Sequence, residues 1–415
     1  MRIAYFVNEF PAFSQPFVLN QVIGAIAAGH DVDIFAAQRV EGAEKNSLVQ
    51  QHRLMERIEY TTLPAGRYLA RLGAALATLF NPTYRGSRRP LLRALNFFRY
   101  GRDAASLRLF FQCRHVAHRA PYDIVHCQFG TLGPHALRLR DLGALSGRLV
   151  VSFRGYDATK FVNEHPHCYD DLFVRGDMFL PVSNGLRARL IELGCPAAKI
   201  QVLHSGLDCQ QFRFKERRGP ALGEPVQIIS VGRFVEKKGL RYGIQAMALL
   251  RKQGLDARYV VIGDGELRTD LEKLIDTLQL GDKVTLKGWQ RHDEVVTLMD
   301  NAHILLAPSI TAADGDQEGI PNVVKEAMAL GLPVISTDHS GIPELVDDGV
   351  SGFLVPEKDP VAIAQRVTQL CARTENWAAI GRSARTKVET EFDIVRLNDR
   401  LLTLYVQLAT AASPK

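Results

Sequence analysis

The sequence of 415 residues lacks the features of several protein classes. Its six cysteines are scattered, with no CxxC pair and no metal-ligand spacing, which indicates reduced thiols in a cytosolic protein and no metal centre. No apolar run approaches the roughly 18 residues of a membrane-spanning helix. The amino terminus reaches Asn8 and Glu9 before a long apolar region forms, so we predict a first strand and no signal peptide. No GxGxxG follows that strand, which weighs against a dinucleotide dehydrogenase.

Acidic residues are almost absent from residues 64–119, where eleven arginines accompany one aspartate, Asp103. The net charge of this stretch is +10. Because the net charge of the whole chain is +6, the remaining residues together have a net charge of −4. Leucine and phenylalanine recur between the arginines at helical spacing, which predicts amphipathic helices. These helices either lie on the anionic inner leaflet of the membrane, or bury their apolar residues in the core and expose the arginines to solvent. No basic-aromatic motif accompanies the charge, so we expect no nucleic-acid partner.

Strand and helix patterns alternate along both halves of the chain. The length exceeds that of one typical domain, and the alternation predicts an α/β fold with two doubly wound parallel sheets. In such sheets, ligands bind beyond the carboxyl ends of the strands. The predicted strands are Ile3–Val7, Val32–Ala36, Ile58–Leu63, Ile124–Cys127, Leu149–Phe153, Met178–Val182, Ile200–Leu203, Val226–Val231, Tyr259–Ile262, Val284–Lys287, His303–Ala307, Val334–Ser336 and Phe353–Val355.

The most informative segment follows the strand that ends before Pro308. A polar loop leads to a helix at Pro321, which suits a first helical position because proline lacks the N–H that would have no partner there. Gly319 lets a ligand approach the backbone closely. Two carboxylates, Glu318 and Glu326, flank this junction. The positive helix end and its free N–H groups predict an anion pocket formed by Gly319, Ile320, Pro321, Asn322 and Val323.

Cations follow the strand Val226–Val231 in the loop 232–239, which reads GRFVEKKG. Arg233 offers a bidentate fork and Lys238 a mobile point charge, as a diphosphate ligand requires. Alone, this loop is better explained as a solvated basic turn, and the glutamate pair also fits the acid and the nucleophile or base of a glycosidase. Together, the acids and the cations predict a ligand that is part phosphate and part polyol.

The motifs of the carboxyl half form one ordered set. They are GRFVEKKG, the Glu318-x7-Glu326 pair around Gly-Ile-Pro, EAMALGLPVIST at 326–337, GIPELV at 341–346 and DGVSGFLVP at 348–356. This set resembles the retaining nucleotide-sugar glycosyltransferases of family four, whose two-domain fold is called glycosyltransferase-B. The amino half is most similar to exopolysaccharide transferases of the colanic acid and amylovoran type, through FPAFSQPFVLNQV at 10–22, DIVHCQFGT at 123–131 and SFRGYD at 152–157.

The resemblance implies two Rossmann-like domains that face each other across a cleft. Residues 1–208 form the acceptor-binding domain, residues 209–392 bind the nucleotide sugar, and a helix within 393–415 crosses back to the amino domain. The implied reaction moves a sugar from a nucleoside diphosphate sugar (UDP or GDP) to a saccharide acceptor, with retention and without a metal or other cofactor. We expect a lipid-diphosphate-linked acceptor, in exopolysaccharide or other cell-surface polysaccharide assembly. We also expect a cytoplasmic protein, peripheral on the inner leaflet if its basic face binds membrane.

The resemblance also assigns roles within the donor site. Arg233 and Lys238 stabilise the leaving diphosphate together with the junction amides, and the diphosphate itself takes the acceptor proton. One acid, Glu326, accepts the ribose hydroxyls, while the other, Glu318, holds the donor sugar. The nucleotide base lies near Gly288 and Trp289, although Trp289 also suits core packing.

Polar residues beyond the amino-domain strands complete the predicted site. They are Ser14 and Gln15 on the donor side, His126 and Gln128 at the sugar, and Arg154 and Asp157 on the acceptor side. Relatives carry His-x-His and Phe-His-Gly where this chain has His126-Cys127-Gln128 and Phe153-Arg154-Gly155, so an amide and a guanidinium replace two imidazoles. Ser14 is also a suitable helix N-cap, and His126 also suits a buried core position.

Two other functions fit the same motifs, because one fold can host several activities. An epimerase or phosphorylase on this fold uses the phosphate pocket with water or phosphate in place of an acceptor. A non-catalytic sugar-nucleotide sensor, or a subunit that needs a second chain, binds the nucleotide without turnover.

Overall fold

Two six-stranded parallel sheets form the framework of the protein. The computed structural model describes residues 1–12, 16–64, 68–221 and 223–411. The strands of the first sheet are β1 (Arg2–Glu9), β2 (Asp31–Gln38), β3 (Ile58–Tyr60), β4 (Ile124–Cys127), β5 (Arg148–Phe153) and β6 (Met178–Pro181). Those of the second are β7 (Val226–Val231), β8 (Ala257–Ile262), β9 (Val284–Gly288), β10 (Ile304–Ala307), β11 (Val334–Thr337) and β12 (Phe353–Val355). The strand orders are β3-β2-β1-β4-β5-β6 and β12-β11-β10-β7-β8-β9, which confirms the prediction of two doubly wound sheets.

Helices cover both sheets. In the amino half they are α1 (Pro16–Ala27), α2 (Ser47–Gln51), α3 (Tyr68–Phe80), α4 (Arg88–Arg93), α5 (Phe97–Ala105), α6 (Arg108–Ala117), α7 (Gly133–Leu142), α8 (Lys160–Glu164), α9 (Asp170–Arg175) and α10 (Asn184–Glu192). In the carboxyl half they are α11 (Leu240–Lys252), α12 (Arg268–Thr277), α13 (His292–Asp300), α14 (Asn322–Ala329), α15 (Ile342–Leu345), α16 (Pro360–Ala372), α17 (Trp377–Glu391) and α18 (Ile394–Thr410).

The buried strands explain why these segments form parallel sheets. β4 reads IVHC and β11 reads VIST, and every residue of both strands is buried. Parallel strands that are covered on both faces need such continuous runs instead of an alternation of apolar and polar residues. In each sheet the strand order reverses beside the first strand, between β1 and β4 and between β7 and β10. Doubly wound sheets bind ligands in the crevice at this point.

The last helix, α18, joins the carboxyl end of the chain to the amino-terminal sheet. Its Tyr405 is buried, with its hydroxyl oxygen 3.2 Å from that of Tyr5 in β1. The side-chain amide of Asn398 donates to the carbonyl oxygen of Asn20 in α1 at 3.1 Å. Gly24 of α1 lies so close that a Cβ there would be 2.4 Å from the Asn398 amide nitrogen. The helix therefore completes the core of the amino domain, although it follows the second domain in sequence.

The predicted seventh strand of the amino half, Ile200–Leu203, does not form. The N–H groups of Gln201 and Leu203 each donate to a carbonyl oxygen of β6 at 3.0 Å, and Ile200 makes a single bridge to Phe179. No ladder develops, because the chain leaves the sheet after these contacts and crosses to the second domain.

Among the described residues, no helix has both the length and the apolar character that are needed to cross a bilayer. The six cysteines are free. No three histidine, cysteine or acidic side chains among the described residues lie together in a way that could hold a metal ion.

Candidate active site

Glu318 lies at the joint between the two domains, close to the two lysines of the loop after β7. Nζ of Lys238 is 3.1 Å from Oε1 of Glu318, and Nζ of Lys237 is 4.0 Å from the same oxygen and 3.0 Å from the carboxylate of Asp316. Burial alone would raise the pKa of Glu318, but the charges of Lys238 and Lys237 outweigh it, so the pKa is lowered. The carboxylate is therefore ionised at neutral pH.

Glu318 Oε1 remains open to a further donor. The contact with Lys238 has the distance of an ion pair but not the angles of a hydrogen bond, and no other described residue donates to this oxygen. The backbone N–H of Glu318 donates to Nε2 of His339 at 3.2 Å, and Nδ1 of His339 lies 2.6 Å from Oε1 of Glu357. Because Nε2 accepts, the ring proton is on Nδ1 and donates to Glu357. This pair is not among the predicted site residues, and its only signal in the sequence is the position of His339 beside the GIPELV motif.

The start of α14 differs by one residue from the prediction. Pro321 has φ −65° and ψ 127°, so it is extended and caps the helix, which begins at Asn322. Its fixed φ suits either conformation, and only ψ distinguishes them. No described residue accepts from the backbone N–H groups of four junction residues: Gly319, Ile320, Asn322 and Val323.

Val323, one of these four residues, and Lys238 of the other loop line the same crevice. This small crevice is also lined by Ser309 and Pro321. Gly239, with φ 61°, allows this approach, because a Cβ there would lie 1.8 Å from the carbonyl oxygen of Pro308. A positive side chain and a helix amino terminus that face one space form a site for a phosphate or diphosphate.

The second acid, Glu326, lies on α14 beside a buried lysine. No described residue donates a hydrogen bond to its carboxylate; burial raises the pKa of Glu326, against the opposing effects of His292 and Lys325. Nζ of Lys325 donates to the carbonyl oxygen and the hydroxyl oxygen of Ser205, at 2.5 and 2.8 Å. Burial lowers the pKa of Lys325 to about 7. This link between the donor helix and the interdomain connector has no signal in the sequence.

Two predicted donor-site residues are exposed. The Arg233 side chain has no hydrogen bond or ion pair with a described residue, so it is available to a ligand anion. Trp289 is 74% exposed, so the core-packing alternative for it is wrong. It follows Gly288, whose φ of 80° favours glycine at the end of β9. Ser14 and Gln15 lie outside the described residues.

His126 and Gln128, which we expected at the sugar, are both buried and fully engaged. Nδ1 of His126 is 2.5 Å from the hydroxyl of Tyr405, and Nε2 is 2.8 Å from that of Ser152. Burial and, secondarily, the charge of Arg154 lower the pKa of His126 to about 3, so the ring is neutral. Gln128 donates to Gln21 Oε1 at 2.9 Å. The expectation of direct sugar contacts is therefore corrected: the two side chains support the site from within the core.

Arg154 forms the surface above this buried layer. Its Nη2 and Nε donate to the side-chain and backbone oxygens of Gln128 at 2.6 and 3.0 Å, and its guanidinium lies 3.9 Å from the ring centre of Phe17. Burial lowers the pKa of Arg154 to about 10. Asp157, expected on the acceptor side, instead accepts from the N–H groups of Gly130, Arg154 and Gly155 at 2.8, 2.8 and 3.1 Å. It is buried and holds two loops together, so that expectation is corrected.

The domains contact each other around the Glu318 loop. Gly155, with φ 136°, lies so close that a Cβ would be 3.0 Å from the carbonyl oxygen of Gln317. On one side, Lys160 pairs with Asp314 at 2.9 Å. On the other, Glu344 accepts from the backbone N–H of Asn184 at 2.6 Å and lies 3.1 Å from Nε2 of His204. The site is thus held between the two lobes.

The fold and the site define a class of protein: two Rossmann-like domains that meet at a helix amino terminus with free N–H groups are the architecture of glycosyltransferase-B enzymes. Residues 16–211 match the family model Glycosyltransferase Family 4, and residues 212–387 match that of Glycosyl transferases group 1. HepE of Anabaena, solved with UDP, has a TM-score of 0.70 at 19% identity, over 98% of this chain and 100% of that one. Sucrose-phosphate synthase of Thermosynechococcus elongatus has a TM-score of 0.68 at 19% identity, over 99% and 100%.

Two curated relatives narrow the class. The putative colanic acid biosynthesis glycosyltransferase WcaL of Escherichia coli is 38% identical over 97% of this chain and 99% of its own length. The amylovoran biosynthesis glycosyltransferase AmsK of Erwinia amylovora is 38% identical over 95% and 96%. The chain belongs to glycosyltransferase family four and is a hexosyltransferase of exopolysaccharide biosynthesis.

Proposed function

We propose that this glycosyltransferase uses a nucleoside diphosphate sugar, and that it transfers the sugar with retention and without a metal to a lipid-diphosphate-linked saccharide. The observation that carries the proposal is the crevice that Lys238 and Val323 line, at a junction whose free backbone N–H groups have no acceptor among the described residues. A diphosphate supplies the negative charge that this arrangement stabilises. The solved relative that contains UDP supports a nucleotide donor.

The positive groups act on the leaving group. The bond between the anomeric carbon and the diphosphate oxygen breaks while the acceptor oxygen bonds to the same face of that carbon. Negative charge grows on the departing oxygen, where Lys238, the exposed Arg233 and the junction amides stabilise it. The proton of the acceptor hydroxyl passes to the diphosphate, so no protein base is required.

The two acids hold the rest of the donor. Glu326, whose carboxylate lacks a donor among the described residues, accepts the two ribose hydroxyls. Glu318, ionised by its lysine neighbours and open at Oε1, accepts hydroxyls of the transferred sugar. Each such charge-assisted hydrogen bond contributes about 1.5–3 kcal/mol.

The arginine-rich segment divides between core and surface. Leu91, Leu107, Phe110 and Phe111 are buried, whereas α3 exposes one apolar stripe, which we call the α3 face: Leu69, Leu72, Leu76 and Phe80. Phe98, at the start of α5, is fully exposed. We propose that the α3 face and Phe98 enter the boundary of an anionic bilayer, with the neighbouring arginines on its headgroups. Such a surface holds the enzyme where a lipid-linked acceptor is found.

The test is a transfer assay with UDP- and GDP-sugars and lipid-linked saccharide extracted from bacterial membranes. We expect donor consumption that depends on the acceptor, an anomeric configuration by NMR equal to that of the donor, and activity that persists in EDTA. Inversion of configuration contradicts the retaining mechanism, and loss of activity in EDTA that added magnesium restores contradicts metal independence. Consumption of donor without acceptor would instead indicate an epimerase or phosphorylase.

A further inference from the structure

A second cavity lies in the amino domain, away from the donor crevice. It has a volume of about 240 Å³ and opens where β1 and β2 end, between the sheet and the helices α5, α6 and α7. Phe6 and Phe35, with ring centres 5.0 Å apart, lie under the cavity and are packed in the core. Ligands of doubly wound sheets bind at this edge, beyond the carboxyl ends of the strands.

Two arginines and one aspartate line the cavity, so one positive charge has no acidic partner there. Arg138 pairs with Asp103 through Nη1 and Oδ2 at 2.8 Å. Arg108, at the start of α6, makes no hydrogen bond or ion pair with any described residue. Burial, with a smaller effect of Arg138, lowers the pKa of His135 to about 4, so this ring is neutral at pH 7. The Arg108 guanidinium is therefore the uncompensated charge of a partly apolar cavity.

This composition fits a sugar that carries an acidic group. Thr61 and Gln112 line the cavity and can form hydrogen bonds with sugar hydroxyls, and a free guanidinium binds a phosphate or carboxylate through two parallel hydrogen bonds. Phe98, which we place at the membrane surface, precedes Asp103 in α5, and the helix is kinked between them at Gly101 (φ 50°).

We propose that this cavity binds the acidic group of the saccharide acceptor, with Arg108 as its principal ligand and Arg138 as the second. The inference rests on the proposed function, since it names the chemistry of the acceptor for the same reaction. The shared chemistry is an oxyanion on a sugar, which is either the phosphate of the lipid-linked end or the carboxylate of an acidic residue.

Saturation-transfer NMR tests this with three probes: glucose 1-phosphate, glucuronate and glucose. The measurements use Lys238→Gln as background, because this change weakens phosphate binding in the donor crevice. We expect glucose 1-phosphate, glucuronate or both to bind at least about tenfold more tightly than glucose, the difference that one charge-assisted bidentate contact gives. Tighter binding of glucose 1-phosphate indicates that the cavity takes the phosphate of the lipid-linked end, and tighter binding of glucuronate indicates that it takes a sugar carboxylate.

Adding Arg108→Gln should abolish the preference for the acid, and adding Arg85→Gln, an exposed arginine of the same segment outside the cavity, should leave it unchanged. Gln112→Glu keeps Arg108 but places a negative charge in the cavity, so it should also abolish the preference and serves if Arg108→Gln does not fold. Equal binding of the three probes, or equal loss in Arg85→Gln, overturns the proposal. In protein that retains Lys238, UDP or GDP should raise the melting temperature of the Arg108→Gln variant as much as that of the wild type. This result separates the cavity from the donor site.

Discussion

At the scale of single residues, the contact between Lys238 and Glu318 is central. Each lies in a loop after a strand, and β7 and β10 are adjacent in the sheet, so the two loops meet. Without a ligand, the positive charge of Lys238 balances the negative charge of the Glu318 carboxylate. We expect a bound diphosphate to compete for the lysine and so to leave the carboxylate free to accept sugar hydroxyls.

The two acids should therefore affect different kinetic constants. Glu318→Gln should lower kcat by about 10²–10³, because it weakens an interaction with the transferred sugar that strengthens as the bond breaks. Glu326→Ala should mainly raise the KM of the donor, because ribose binding is the same in the ground and transition states. Steady-state kinetics with varied donor measures both. Glu375→Gln, an exposed change remote from the cleft, is the control, and unchanged turnover in Glu318→Gln contradicts its role.

Lys325 should make stability depend on pH. Its pKa of about 7 in the folded protein lies below the value of about 10.4 in an unfolded chain, so between these values the unfolded state binds the extra proton. The contribution of Lys325 to the free energy of unfolding therefore rises with pH between these two values, by up to about 1.4 kcal/mol per pH unit. The melting temperature of the wild type relative to Lys325→Met should therefore rise from pH 7 to pH 9. Lys252→Met, at an exposed position, should track the wild type, and a constant offset for Lys325→Met contradicts the assignment.

At the scale of elements, the junction before α14 depends on close backbone packing between the domains. A Cβ on Gly319 would lie 2.7 Å from the carbonyl oxygen of Arg154 and 2.8 Å from Cγ2 of Val182. The residue is therefore needed both for the amide pocket and for contact across the cleft.

Gly319→Ala should push the domains apart and raise the donor KM while lowering kcat, with a combined loss in kcat/KM of at least about tenfold. Gly73→Ala is the matched control, since nothing lies within 4 Å of a Cβ there and alanine favours the α3 helix. Kinetics and the melting temperature of both variants check this. Full activity in Gly319→Ala would show that the junction tolerates a side chain and would contradict the close approach.

The α3 face should bind vesicles that contain anionic lipid. We expect flotation of the wild type with phosphatidylglycerol vesicles at low salt, less at high salt because charge is screened, and none with phosphatidylcholine alone. The triple variant Leu69→Ser, Leu76→Ser and Phe80→Ser should not float with these vesicles. Serine at three other exposed apolar positions is the control: Val174, Val361 and Val395. Equal flotation of the two triple variants contradicts the assignment of this surface.

At the scale of the whole molecule, the sheets could be predicted from local sequence and parts of the site could not. Apolar runs mark most of the strands, such as β4 and β11, and the glycines of the strand-end loops mark where a ligand can approach the backbone. The role of His126 depends on partners that no local pattern reveals. Tyr405, which engages His126, is 279 residues away and reaches it only because α18 crosses to the amino domain. Ile200–Leu203 has a strand-like sequence, but the path of the chain to the second domain ends its pairing.

A crystal structure of the enzyme with an intact UDP- or GDP-sugar most directly tests whether the junction between loop 232–239 and α14 is the donor site. We expect the diphosphate on the N–H groups of the α14 junction, within reach of Arg233 and Lys238, with the ribose on Glu326 and the sugar on Glu318. A diphosphate bound elsewhere, away from these cations and from the joint between the domains, would contradict this assignment.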